Sequence, residues 1–327
     1  MNEQAPMRAV TRRATLGGAL ALPAIAASAQ DVWPSRTVRI IVPYAPGGGT
    51  DVTTRAIAEQ LTARFGRSFV VENRAGANGI VGTEAVARSA PDGYTLGAQT
   101  ATHIMARQMG PLPYDPVTDF TMISLTARYP LVMMASARAP FHDVPSMLAA
   151  ARATAGGLPQ GTSDAQSSFA AALFSRRTGI EFNEVPYRGS GAYLADLTGG
   201  HLPIAWGSPA TAAAIVASGA VKLLAVTSPT RSPHLPNVPT LRELGVAEAD
   251  FVGWFAMLAP AHLPASIGVP LNAAISEIIA TPTMQARYAT LGNEFSPLDL
   301  EQLQALMRSD DERWTQATRD GLIRRTP

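Results

Sequence analysis

The sequence has no cysteine and only one lysine, Lys222, among its 327 residues. The lack of cysteine excludes thiol catalysis, disulfide bonds and thiolate metal sites. Charged residues are scarce at 16%, and the net charge of +1 lacks the strongly basic balance that nucleic-acid binding requires. The five histidines form no H-E-x-x-H motif and no i, i+4 pair. We therefore expect no metal, no other cofactor and no nucleic-acid partner.

The sequence also lacks an apolar run of about 18 residues, the length that a membrane-spanning helix needs. A shorter apolar stretch lies near the N-terminus. Arg8, Arg12 and Arg13 precede an apolar segment, 14–26, and an A-x-A site ends at Ala29. This pattern is typical of an export signal and predicts cleavage after Ala29. The surroundings of Arg12 resemble a twin-arginine signal, so the Tat and Sec routes both stay open. We expect residues 1–29 to be removed and the mature protein to lie outside the cytoplasm.

The stretch from Val38 to Phe65 predicts a strand, a glycine loop and a helix. Val38–Val42 is a short run of mostly β-branched apolar residues, typical of a strand buried on both faces. Gly47, Gly48 and Gly49 follow it, and Thr50 or Asp51 can cap the next helix. Glycines allow close approach to the backbone, and a helix start offers unpaired N–H groups to an anion. A tight turn without a ligand is an equally good explanation of this motif alone.

Strand and helix patterns alternate along the rest of the chain. Strands at 68–72 and 94–99 with short connections predict a parallel sheet covered by helices on both faces. The loops that follow the first three strands, 44–50, 73–79 and 100–102, are expected to meet on one rim, where such sheets bind ligands.

A second α/β unit begins near Leu131. It includes a polar loop, 161–168, and an Ala-rich helix, 169–178. The apolar run from Phe251 reads as a strand that returns to the first unit, and two further helices are predicted at 267–280 and 298–320. Two crossings between two units predict a cleft with a hinge, which is a favoured ligand site.

The ordered motifs of the whole mature chain resemble those of a known family. They are WPSRTVRIIVPYAPGGGTD (33–51), VVENRAGANG (70–79), ARSAPDGYTL (87–96), PYDPVTDF (113–120), VPYRG (185–189), DLTGG (196–200), LAVTSPTRSPHLPNVPTLRELG (224–245) and GWFAMLAP (253–260). The chain is similar to the substrate-binding proteins of tripartite tricarboxylate transporters, the TctC or Bug family.

The resemblance implies an α/β, two-lobed type II periplasmic-binding-protein fold, in which each lobe is a mainly parallel sheet with helices on both faces and the ligand cleft lies between them. Lobe one would comprise residues 30–130 and 253–327, and lobe two residues 131–252. It also implies a periplasmic protein that is not an enzyme. Such a protein passes a small mono-, di- or tricarboxylate, aromatic acids included, to a two-subunit membrane carrier. Delivery of a ligand to a carrier suits a monomer.

The family's carboxylate site carries over to matching positions of this chain. They are Tyr44, Ala45, Gly47, Gly48 and Asp51 in lobe one, and Ser163, Ser167, Ser168, Arg188 and Gly189 in lobe two. Thr100, on the third loop of the rim, and Trp206 complete the candidate set. Asp51 could instead cap its helix, and Trp206 could belong to the core. Gly207 stands where relatives often carry an acid, which weakens the case for an ammonium-bearing ligand.

Two other functions compete with transport. A ligand-binding partner of a periplasmic sensor would have the same site. A secreted hydrolase is less well supported, since no G-x-S-x-G motif occurs and Ser190 in R-G-S-G-A misses its spacing.

Overall fold

The computed structural model describes residues 1–2, 33–295 and 297–323. The predicted cleavage site at Ala29 lies outside these residues, so the export signal stays a prediction. Among the described residues, no helix is long and apolar enough to cross a membrane.

Ten strands in the described part of the chain form two sheets. They are β1 (Val38–Val42), β2 (Phe69–Asn73), β3 (Thr95–Thr100), β4 (Phe120–Pro130), β5 (Val132–Ser136), β6 (Leu158–Thr162), β7 (Phe182–Pro186), β8 (Ile204–Gly207), β9 (Val221–Val226) and β10 (Val252–Pro260). The first sheet has the order β2-β1-β3-β10-β4, and the second has the order β7-β6-β8-β5-β9.

Ten α-helices connect and cover these strands within the described ranges. They are α1 (Gly49–Phe65), α2 (Ile80–Ala87), α3 (Thr102–Met109), α4 (Val144–Ala153), α5 (Ala165–Thr178), α6 (Ser190–Gly199), α7 (Pro209–Val216), α8 (Ala265–Ala280), α9 (Pro282–Leu291) and α10 (Leu300–Arg319).

Both sheets are mainly parallel, as the sequence predicts. In the first sheet, β1 pairs in parallel with β2 and β3, and only β10 runs the other way. In the second sheet, only β5 runs against its neighbours. Each reversed strand is the one that the chain forms directly after crossing from the other sheet. The crossing therefore determines which strand is antiparallel.

Four elements differ from the sequence prediction. The longest strand of the first sheet, β4, is missing from the prediction because it buries polar side chains such as Ser124 and Thr126 between its apolar ones. The predicted polar loop at 161–168 is wrong at both ends. Strand β6 (Leu158–Thr162), which the prediction lacks, occupies the start of that range, and α5 begins at Ala165, where Asp164 caps it. The prediction also lacks α9, which begins at Pro282 directly after α8 ends and has Thr281 as its N-cap.

The two crossings between the sheets are joined by one buried threonine. Thr227 donates its N–H to the carbonyl of Leu131 (2.9 Å) and accepts the Leu131 N–H at its Oγ1 (2.9 Å). Its carbonyl accepts the Phe251 N–H (2.7 Å), and its hydroxyl donates to the Phe251 carbonyl (2.6 Å). Thr227 thus satisfies the backbone of both crossing residues and joins the two crossings at one point.

Candidate functional site

The glycine loop between β1 and α1 forms one wall of the cleft. Gly47 adopts φ +83°, a left-handed conformation that favours glycine, and Gly48 is the N-cap of α1. The first N–H groups of a helix have no partner within it. The Gly49 N–H reaches across the cleft and donates to Oγ1 of Thr211 at 2.9 Å. The loop therefore presents backbone donors toward the second sheet.

Asp51 holds this loop in place from within α1. Its carboxylate accepts the Gly47 N–H (2.9 Å), the Arg55 Nε–H (3.0 Å) and the side-chain amide of Asn73 (3.0 Å). Burial alone would raise the pKa of Asp51, but the hydrogen bonds from Arg55, Gly47 and Asn73 outweigh it and lower the pKa below its ordinary value. Asp51 is thus ionised and fully engaged in ordering the loop.

The opposite wall consists of three helix starts that follow strands of the second sheet. At the start of α5, Asp164 and Ser167 form a capping box, with the Asp164 Oδ1 accepting the Ser167 N–H and hydroxyl at 2.9 Å each. Ser208 caps α7 by accepting the Thr211 N–H (3.2 Å), and Ser190 begins α6. Each helix start brings a hydroxyl to the same side of the cleft.

Close backbone contacts join the two walls. The Ala45 N–H donates to the Arg188 carbonyl at 3.3 Å. A methyl group at Gly48 would lie 2.6 Å from the Ser190 Oγ, and one at Gly191 would overlap the carbonyl oxygen of Pro46. The glycines on both sides therefore allow the walls to approach more closely than any larger residue would permit.

A small polar cavity of about 20 Å³, partly open to solvent, lies between these walls. Six of its lining residues carry aliphatic hydroxyls: Thr50, Thr100, Ser163, Ser167, Ser190 and Ser208. The other lining residues are Gly49, Tyr129, Leu131, Asp164, Gly207 and Phe255. No arginine, lysine or histidine is among the described residues that line it. An anion bound here would therefore be held by hydroxyls and helix N-termini rather than by a cationic side chain.

Asp164 is the one acidic side chain among these lining residues. Burial raises the pKa of Asp164, against the opposing effect of its hydrogen bonds from Ser167 and Gln166. Burial also raises the pKa values of Tyr44, Tyr129 and Tyr193, and the nearby Asp164 carboxylate adds to each shift. The tyrosines around Asp164 are therefore neutral, and Asp164 is the one acidic side chain among the described residues that line the cavity.

Comparison with known proteins identifies the family. The model of the tripartite tricarboxylate transporter family receptor, TctC, matches residues 53–320. The chain belongs to the TctC family. It is 33% identical over 313 residues to protein BugT of Bordetella pertussis, covering 94% of this chain and 96% of BugT. Members of the TctC family are periplasmic solute-binding proteins.

Two solved structures of Rhodopseudomonas palustris proteins are similar over most of their length. One is Rpa4515 with adipate, 29% identical, with a TM-score of 0.86 over 90% of this chain and all of that one (100%). The other is MatC with bound malate, 28% identical, with a TM-score of 0.81 over 86% of this chain and 98% of that one. The two-lobed fold that the resemblance to the TctC family implies is thereby confirmed.

Three of the candidate residues line the cavity: Thr100 from the rim loop, and Ser163 and Ser167 from the TctC resemblance. The lobe-one candidates lie in or behind the glycine loop. Among them, Tyr44 is buried with its hydroxyl 3.1 Å from the Thr100 Oγ1. In lobe two, Gly189 contacts the loop, since a methyl group there would lie 2.7 Å from the Ala45 nitrogen. These residues shape the site rather than line its cavity.

The other three candidates point elsewhere. Ser168 donates its hydroxyl to Glu184 at 2.5 Å, and the Arg188 side chain is exposed. Trp206 is 0% exposed, and its indole N–H donates to Gln160 at 3.1 Å. Trp206 is therefore a core residue in this structure, which is the alternative that the sequence leaves open.

Sequence reasoning missed most of the cavity lining. Thr50, Ser190 and Ser208 each lie at a turn before a predicted helix, so the capping pattern could have found them. Tyr129 and Phe255 come from the paired strands β4 and β10, with ring centroids 4.2 Å apart. No local pattern distinguishes these two rings from ordinary core residues.

Proposed function

We propose that the protein captures a small organic carboxylate in this cleft, in the periplasm, and delivers it to a two-subunit membrane carrier of the tripartite tricarboxylate type. The observation that carries the proposal is the cavity in which hydroxyls and helix starts from both sheets converge. The adipate and malate bound by similar proteins support a carboxylate as the ligand class.

The proposed mechanism is binding without catalysis. The carboxylate accepts hydrogen bonds from Thr50, Ser163 and Ser208, and the N-terminal ends of α1, α5 and α7 favour its charge. We propose that residues 30–130 with 253–327 act as one lobe and residues 131–252 as the other. Rotation about the Leu131 and Phe251 crossings opens the cleft for entry, and closure excludes water and strengthens each donor.

A screen of organic acids by thermal shift tests the capture step. A ligand that binds the folded protein stabilises it by about 2.7 kcal/mol at a hundredfold excess over Kd, because of mass action. We expect a mono-, di- or tricarboxylate to raise the melting temperature and to bind with 1:1 stoichiometry in calorimetry, with the acid recovered unchanged. Hydrolysis of an ester substrate, or no response to any acid, would contradict the proposal.

Export and delivery need separate tests in cells. The proposed cleavage after Ala29 predicts that the protein recovered from the periplasm begins at Gln30, which its intact mass measures. Deletion of the carrier is expected to abolish uptake of the bound acid. The sensor alternative predicts a different pattern. Uptake would be unchanged when the carrier is deleted, and the transcriptional response to the acid would be lost when the binding protein is deleted.

A further inference from the structure

The cavity contains a carboxylate with no cation beside it. Asp164 lines the cavity, is partly exposed there, and engages Oδ1 in the capping box of α5. The ion pairs found among the described residues do not include Asp164, whereas Asp51 on the opposite wall is paired with Arg55. The start of α5 stabilises this carboxylate through hydrogen bonds, and a cationic group on a ligand would add the ion pair that no described side chain supplies.

We propose that the cavity binds an amino acid, that is, a carboxylate that also carries an ammonium group. In this proposal Asp164 binds the ammonium group. This inference rests on the proposed function and narrows its ligand class. Gly207 stands where relatives often carry an acidic residue, and Asp164 supplies a carboxylate from a different loop of the same cavity.

The charges around the cavity favour a zwitterion over a dicarboxylate. The described lining residues offer no cationic side chain to a second ligand carboxylate. A dicarboxylate would add two negative charges next to Asp164, and like charges at close range repel strongly in a desolvated site. An amino acid adds no net charge, and its ammonium can lie between Asp164 and its own carboxylate.

The aromatic walls are also suited to an ammonium. Tyr129 and Phe255 line the cavity as a close pair, and the faces of such rings attract cations. The groups that surround Asp164 from neighbouring elements do not compete for the ligand's charge. Tyr44 from the glycine loop, Tyr129 from β4 and Tyr193 from α6 are neutral, and Glu184 of β7 is bonded to the hydroxyls of Thr162 and Ser168.

Asp164→Asn tests the role of the charge with little change in shape. Asparagine is as good an N-cap as aspartate, so α5 keeps its capping interaction. Asp143→Asn is the matched control. Asp143 forms the same Asp-x-x-Ser capping box at the start of α4, but it is exposed and outside the cavity.

The experiment compares amino acids with the same acids lacking the amino group. The pairs are L-aspartate and succinate, L-glutamate and glutarate, L-leucine and 4-methylpentanoate, and L-phenylalanine and 3-phenylpropanoate, titrated into the purified protein by calorimetry at neutral pH. In at least one pair we expect the amino acid to bind about tenfold tighter than the acid without the amino group, because its ammonium would form a charge-assisted hydrogen bond with Asp164. Asp164→Asn is expected to remove that preference, and Asp143→Asn to retain it.

The pH dependence separates recognition of the ammonium from a structural role. Lowering the pH protonates Asp164, so the preference of the unmodified protein for the amino acid should decline, whereas that of Asp164→Asn should stay flat. Tighter binding of the deaminated acids, or an unchanged preference in Asp164→Asn, would overturn the inference and leave the proposed function standing. Binding of neither member of any pair, nor of any other carboxylate, would overturn both.

Discussion

Gly191→Ala is expected to abolish ligand capture while the protein still folds. The added methyl group would overlap the carbonyl oxygen of Pro46 and lie 3.2 Å from the Gly48 nitrogen, both backbone atoms of the opposite wall. Because backbone atoms cannot rotate away, the lobes must stay apart. We expect ligand affinity to fall at least about 100-fold, which corresponds to roughly 2.7 kcal/mol or more. Isothermal titration with the acid found by the screen measures this loss.

The folded open form should tolerate the same substitution. Gly191 lies in the first turn of α6 without a left-handed φ, and alanine is a better helix former than glycine. Urea unfolding without ligand should therefore show no loss of stability relative to the unmodified protein. Gly268→Ala is the matched control, since Gly268 lies in the first turn of α8 and its added methyl would make only an ordinary contact, 3.5 Å from Leu263. Full affinity in Gly191→Ala would show that capture does not need the walls to meet.

Thr211→Val is expected to weaken ligand binding by about 10- to 100-fold. The buried Thr211 hydroxyl lies 2.9 Å from the Gly49 nitrogen and 3.1 Å from the hydroxyls of Ser190 and Ser208. Valine keeps the shape but leaves the Gly49 N–H without its partner across the cleft, at a cost of about 1–3 kcal/mol for a buried donor. In the open form water can replace that partner, so the cost falls on the closed state alone. Calorimetry measures the affinity, and thermal unfolding without ligand checks the open form.

Thr290→Val is a suitable control for this substitution. Thr290 is an exposed helical threonine whose hydroxyl donates only to the Ala286 carbonyl of its own helix. Replacing it should change neither affinity nor stability by more than about 0.5 kcal/mol. If Thr211→Val bound as tightly as Thr290→Val, the hydrogen bond across the cleft would have no part in closure.

The sequence predicts the parts of the cleft that local patterns encode. The strand at Val38–Val42 and the glycine loop form as predicted, because β-branched residues and glycines each act over a few residues. The predicted cap of the next helix is wrong, since α1 begins at Gly49 with Gly48, and neither Thr50 nor Asp51, as its N-cap.

Thr100 was expected at the site because it follows a predicted strand, whereas Ser163 and Ser167 were carried over from the family resemblance. The alternation of strands and helices with two crossings predicts two units with a cleft between them, and the family resemblance implies the same two-lobed fold.

The remaining features depend on contacts between distant residues. Tyr129 and Phe255 become neighbours only when β4 pairs with β10, with a residue separation that no motif spans. Asp164 looks like an ordinary helix cap in the sequence, and only the cavity beside it gives its charge a second role. Thr227 is similar, since its four hydrogen bonds join Leu131 to Phe251.

A crystal structure of the protein with its bound acid tests the central claim most directly. The account predicts a carboxylate within hydrogen-bond distance of hydroxyls from both walls, such as Thr50 and Ser208, with the Pro46 loop resting on Gly191. A ligand lodged outside this cavity, or one whose carboxylate is gripped by the Arg188 side chain, would contradict it.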